Sequence, residues 1–151
     1  MHFSKRKSKK KFIIGLLVVV AFTALILYAI EQKESKNRDQ RRFADMKQMQ
    51  TVLNYHYELY GEYPRVAEFA CFSEIESLIE GLVPWLVTLP LDPNDGHSPI
   101  DAEKACYNYR SDDGRQYKLR SNLEKNSFSM IHDNGSSDEW YEIFTADAAG
   151  W

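Results

Sequence analysis

The sequence predicts an α+β protein in which one long N-terminal helix packs on a small antiparallel β-sheet. Three observations predict it. Residues 12–30 are an uncharged apolar run, and residues 31–60 contain neither Pro nor Gly and turn amphipathic. From Ala105 onward, short stretches alternate in polarity between turn signals.

The apolar run reads FIIGLLVVVAFTALILYAI. Nineteen residues at about 1.5 Å each give roughly 28 Å of helix, close to the hydrocarbon thickness of a bilayer. In lipid such a segment satisfies its own backbone only as a helix. Charge is segregated around it. Residues 1–11 hold six of the 19 basic groups and no acid, while residues 31–151 hold 13 basic against 22 acidic groups, a net of −9. Basic residues before the run and Glu31 and Glu34 after it place the N-terminus in the cytoplasm. The expected organisation is a basic cytoplasmic leader (1–11), a transmembrane helix (12–30), its extramembrane continuation (31–60) and an extracytoplasmic α+β head (61–151). A cleaved secretory signal is the competing reading. Its apolar region is usually about 7–15 residues and ends at small residues, whereas the best site here, after Ala29, has Leu27 two positions before it. A buried core helix is the third reading, and apolarity on every face argues against it. The acidic body also makes a nucleic-acid binder a poor candidate, because it repels phosphate.

The continuation opens polar (EQKESKNRDQRR), and its first half is expected to be wet. Phe43, Met46, Gln50, Leu53, Tyr57 and Tyr60 then recur at spacings of three and four, with Met49 and Val52 widening the stripe. Gly61 is a natural stop and Pro64 blocks continuation. Ser73 and Glu76 form a capping-box pattern opening a short helix, SEIESLIEGL. Pro84, Pro90, Pro93 and Pro99 make residues 82–99 a loop, with Trp85, Leu86 and Leu89 as its apolar pins. Strands are expected over Ala105–Arg110, Gln116–Leu123 and Phe128–Ile131. Asp112-Asp113-Gly114 and Asp133-Asn134-Gly135 supply the turns. The tail from Trp140 either adds a last strand or stays mobile.

Cys71 and Cys106 lie 35 positions apart. In an oxidising compartment they form a disulfide; two free buried thiols are the alternative. Neither sits in a metal-ligand spacing. His2, His56, His97 and His132 fall in no catalytic motif and read as solvated or half-packed side chains. Among the tyrosines, Tyr55, Tyr57, Tyr60 and Tyr63 cluster at the helix exit, a spacing suited to packing between helix and sheet. The stretch HDNGSSDEW offers Asp133, Asp138 and Glu139 as candidate calcium ligands, since calcium takes six to eight oxygens. A plain Asx-rich turn is the other reading. Calcium is the one cofactor the residues suggest.

Several of these segments resemble one family. RRFADMKQMQTVLNYHYELYGEYP (Arg41–Pro64), WLVTLPLDP (Trp85–Pro93) and YNYRSDDGRQYKLRSNLE (Tyr107–Glu124) resemble segments of type II secretion pseudopilins, the major pseudopilin above all, and of related type IV pilin-like proteins. With the apolar run, the resemblance spans about residues 5–132. It implies a pilin-like fold, a single-pass protein of the bacterial cytoplasmic membrane, and a calcium site in the C-terminal loop. It also implies partners, namely other pilin-like subunits contacted through the N-terminal helix, and membrane lipid. The expected function is that of a non-enzymatic structural subunit of a secretion, pilus or DNA-uptake apparatus. The alternative is an anchored extracytoplasmic binding module of pilin shape that does not assemble. The family leader is cut by a prepilin peptidase after a Gly that precedes F-T-L-I-E. Here Lys11 takes the place of that Gly, Phe12-Ile13-Ile14 resembles F-T-L, and Gly15 stands where Ile-Glu would be. Gly15 is the candidate processing site.

Overall fold

The computed structural model describes residues 4–75, 82, 86, 88–96 and 102–151, with side chains from Lys11 onward. The chain forms two compact units, residues 1–35 and 36–151. Helix α1 (Ser4–Tyr60) runs unbroken because its interior has no Pro and only one Gly, Gly15. It stops at Gly61, whose φ of +74° is a left-handed cap. The Gly61 amide donates to the Tyr57 carbonyl at 2.8 Å.

In the second unit the chain continues as β1 (Val66–Cys71), β2 (Asn108–Ser111), β3 (Lys118–Ser121), the single-turn helix α2 (Ser127–Ile131) and β4 (Tyr141–Phe144). The four strands form an antiparallel meander in sequence order. Asp113 and Gly114 close the β2–β3 turn as expected: Asp113 Oδ1 accepts the Arg115 amide at 2.9 Å, and Gly114 has φ +75°. Tyr109, Leu119 and Ile143 are partners across β2, β3 and β4. They belong to one core with Met46, Met49 and Leu53 of α1. Leu86 and Leu89 are buried in the same core, as the loop reading anticipated. The α+β reading therefore stands, with one long helix and a small antiparallel sheet.

Several local expectations change. Phe128–Ile131 is part of helix α2, not a third strand. Alternation over four residues does not distinguish a strand from one helical turn, and here Met130 is buried while Phe128 and Ile131 are exposed. The place beside β3 goes to β4, from the tail. Strand β1 was not anticipated. It is a sheet edge with half-exposed residues and carries little periodic signal. The helix stripe is displaced as well. Tyr57 and Tyr60 are exposed, and His56, expected at the surface, is buried. The polar stretch is not uniformly wet either, since Asp39 and Arg42 are buried. The capping-box partner Glu76, the body of its helix, Trp85 and His97 lie outside the described residues.

Candidate functional site

Two parts of the molecule carry the features that bear on function. The first is the apolar stretch of α1. Every residue from Lys11 to Ile30 is exposed, with Phe12 at 74% and Leu27 at 67%. The helix is long and apolar enough to cross a membrane. Gly15 lies in it with open space around its Cα, where a methyl group would meet nothing within 4 Å.

The second is a buried charge network in residues 36–151, built around Arg42, which is 1% exposed. Its Nε and Nη2 donate to the two carboxylate oxygens of Asp92 at 2.7 and 2.9 Å. Its Nη1 donates to Asp39 at 2.9 Å and to Glu124 at 2.8 Å. Such a bidentate fork suits guanidinium and not ammonium. Arg38 makes a second fork onto Glu124, at 2.7 and 2.6 Å. Asp39 is satisfied from the other side, accepting the backbone amides of Glu124 and Lys125. The network thus ties α1 to the 92–94 turn and to the segment leaving β3. Burial alone lowers the Arg42 pKa, but its hydrogen bonds to Asp92, Glu124 and Asp39 outweigh it and hold the guanidinium above its ordinary value. The Arg38 fork, aided by Arg42 and opposed by burial, pulls the Glu124 carboxyl down to about 2. Beside it, Tyr107 donates its hydroxyl to Asp45 at 2.8 Å.

Sequence reasoning missed this network because its helix residues lie 50 to 86 positions from their partners on the later segments. One signal did exist. Asp39 and Arg42 continue the three-and-four spacing of Met46, Met49 and Leu53 toward the N-terminus, so they share the buried face.

Cys71 and Cys106 are joined in a disulfide, with Cα atoms 5.6 Å apart, beside the register pair Cys71 and Asn108. His56 Nδ1 lies 2.7 Å from the Glu62 carbonyl, an oxygen that only accepts, so Nδ1 carries the proton. His132 stacks on Phe128, one helical turn away. Of the four tyrosines at the helix exit only Tyr63 is buried: it stacks on Tyr57 and meets Tyr117 edge-on, with centroids 4.6 and 4.7 Å apart, while Tyr55 and Tyr60 are exposed. Burial pushes the Tyr117 hydroxyl up to about 12.

The candidate calcium ligands are placed but not brought together. Asp133 spends one oxygen on the Gly135 amide and the other on the Glu142 amide, as an Asx turn does. Glu139 pairs with Lys104 at 2.9 Å, and Asp138 is exposed. Among the described residues, no three His, Cys, Asp or Glu side chains form a group able to hold a metal ion. Asn134 takes the left-handed φ of +64° at this turn, a conformation Asn tolerates.

Comparison with known proteins finds no matching family, no matching curated protein and no matching solved structure.

Proposed function

We propose that this chain is a non-enzymatic pilin-like subunit of a bacterial secretion, pilus or DNA-uptake apparatus, of the type II secretion pseudopilin kind. On this reading residues 12–30 anchor it in the cytoplasmic membrane as a single span. The N-terminus is cytoplasmic, and residues 31–151 lie on the far side.

One observation carries the reading. The three segments that resemble the pseudopilins are far apart in sequence, yet one charged residue from each meets at the buried Arg42 guanidinium. These are Arg42 of the RRFAD segment, Asp92 of PLDP and Glu124 of SNLE. Chance similarity in three fragments does not require them to converge. The exposed apolar stretch and the disulfide, which suits an oxidising compartment, support the same reading. The anchored binding module has one observation in its favour: Lys11 and Gly15 stand where the family has its cleavage Gly and its assembly Glu.

The test is made on full-length chain in bacterial membranes. The proposal expects the protein to resist carbonate extraction. It also expects single cysteines placed along residues 12–30 to cross-link to pilin-like subunits. A soluble chain lacking residues 1–30 would overturn anchoring. An anchored chain whose helix cross-links to no other subunit would replace the subunit reading with the binding module.

A further inference from the structure

The buried cations of residues 36–151 are answered by acceptors. Arg42 meets three carboxylates. Lys118 on β3, 0% exposed, donates to Glu142, to Ser136 Oγ and to the backbone oxygens of Ala149 and Trp151. One cleft is different. It has a volume of about 250 Å³ and is lined by Lys36, Asp39, Gln40 and Phe43 of α1 and by Lys125 and Asn126, which lead from β3 to α2. Lys36, Gln40 and Lys125 are exposed, and Asn126 is half-buried. Among the described residues, none of these four side chains has a hydrogen-bond or ion-pair partner. Asn126 directly precedes α2, yet its side chain does not cap that helix.

The remaining polar group, Asp39, is committed. Its Oδ1 accepts Arg42 Nη1 and the Glu124 amide at 2.9 Å, and its Oδ2 accepts the Lys125 amide at 2.8 Å. The cleft therefore offers two ammoniums and two carboxamides, all able to donate. Behind them the guanidiniums of Arg38 and Arg42 meet the carboxylates of Asp39, Asp92 and Glu124, so two positive charges face three negative ones. Lys36 and Lys125 turn that balance to a single net positive charge. An anion of one charge with several acceptor oxygens complements such a site, and a phosphodiester is one. Phe43, half-buried and edge-on to Tyr141, adds an apolar wall suited to the carbon skeleton of a lipid.

The place of Lys36 along α1 indicates the source of the phosphodiester. Lys36 follows Ile30, the last residue of the apolar run, by six positions. That is about 9 Å of helix rise, against roughly 5–8 Å of headgroup layer beyond the hydrocarbon. Helical side chains lean toward the N-terminus, so the lysine stem carries its ammonium back toward that layer. We propose that the cleft between α1 and residues 125–126 holds the phosphodiester of an anionic lipid headgroup. The inference rests on the reading of residues 12–30 as a membrane span.

The experiment reads acetylation of each lysine by mass spectrometry. It uses the full chain in nanodiscs of phosphatidylcholine alone, of phosphatidylcholine with phosphatidylglycerol, or of phosphatidylcholine with millimolar inorganic phosphate. Phosphatidylcholine also carries a phosphodiester, but its own cation neutralises it. Phosphatidylglycerol is expected to slow labelling of both Lys36 and Lys125 at least about fivefold relative to the exposed Lys47. Inorganic phosphate is expected to slow neither. Lys125→Gln, a surface change, is expected to remove the protection of Lys36, and Lys125→Arg to keep it. Slowing of Lys33 and Lys36 without Lys125 would reduce the effect to surface potential and overturn the cleft. Protection by inorganic phosphate equal to that by phosphatidylglycerol would overturn the lipid as its source. A chain that resists carbonate extraction yet labels alike in all three conditions overturns the proposal and leaves the membrane span standing. A chain that carbonate extracts and that enters no nanodisc removes both.

Discussion

Residues 12–30 and residues 39–56 of α1 share one backbone conformation and invert the usual relation between polarity and burial. The first stretch is wholly uncharged and wholly exposed. The second buries Asp39 and Arg42 on the same face as Met46, Met49 and Leu53. Helix propensity explains neither, since it does not say which side chains are buried. The difference lies in what each side chain is given to touch. Arg42 is tolerable inside because three carboxylates receive its N–H groups. Phe12 and Leu27 are exposed, and an exposed apolar surface of that length is what the proposed membrane span would cover.

Taking the charge out of the second stretch breaks the comparison most severely. Arg42→Ala leaves Asp39 and Asp92 buried without their cation, a loss of about 3–5 kcal/mol when one partner of a buried pair is removed. Urea unfolding of the purified chain is expected to show a midpoint lowered accordingly at an unchanged slope. A variant as stable as the parent would mean that the network is decorative. Arg42→Lys should recover only part of the loss, because an ammonium cannot serve both oxygens of Asp92 as a planar fork.

Putting a charge into the first stretch is the reciprocal change. Val20→Arg places a guanidinium near the middle of the apolar run, at about 3 kcal/mol of insertion cost. The carbonate-resistant fraction should fall while the urea midpoint of the head stays where it was. Equal losses in both assays would show that the two stretches are not energetically separate.

The two stretches were not equally legible from sequence. An apolar run announces itself by length, and the Met46–Met49–Leu53 stripe by spacing, because both signals are local. The turn at Asp112-Asp113-Gly114 is local too, and so was the strand pair on either side of it. The fates of Arg42 and Lys118 were not legible. A cation on a helix or on the outward position of a strand reads as solvated until its acceptors are known. Apart from Asp39, those acceptors lie 50 and 82 positions from Arg42, and they lie 18 to 33 positions from Lys118. The commitments of the candidate calcium ligands were illegible for a related reason. Composition counts the oxygens in HDNGSSDEW, but it does not see Asp133 committed to amides or Glu139 committed to Lys104. Helix α2 was lost to a shorter ambiguity, four residues whose alternation fits either periodicity.

Acid sharpens the comparison by acting on one stretch alone, because residues 12–30 hold nothing that titrates near pH 4. The Arg38 fork, with Arg42 behind it, depresses the folded-state Glu124 pKa to about 2, from an ordinary value of 4.5. A carboxyl depressed on folding contributes stability that is fully present above its unfolded pKa and lost as pH falls toward its folded one. Head stability is therefore expected to decline between about pH 4.5 and pH 2, with membrane retention unaffected over the same range. Glu124 is partly exposed, so solvent screening makes this effect smaller than the loss of Arg42. Glu124→Gln isolates it. The variant should be less stable than the parent at neutral pH and should approach it as both are acidified, since the parent's Glu124 then also becomes neutral. Parallel acid curves for the two proteins would move the acid sensitivity to carboxylates other than Glu124.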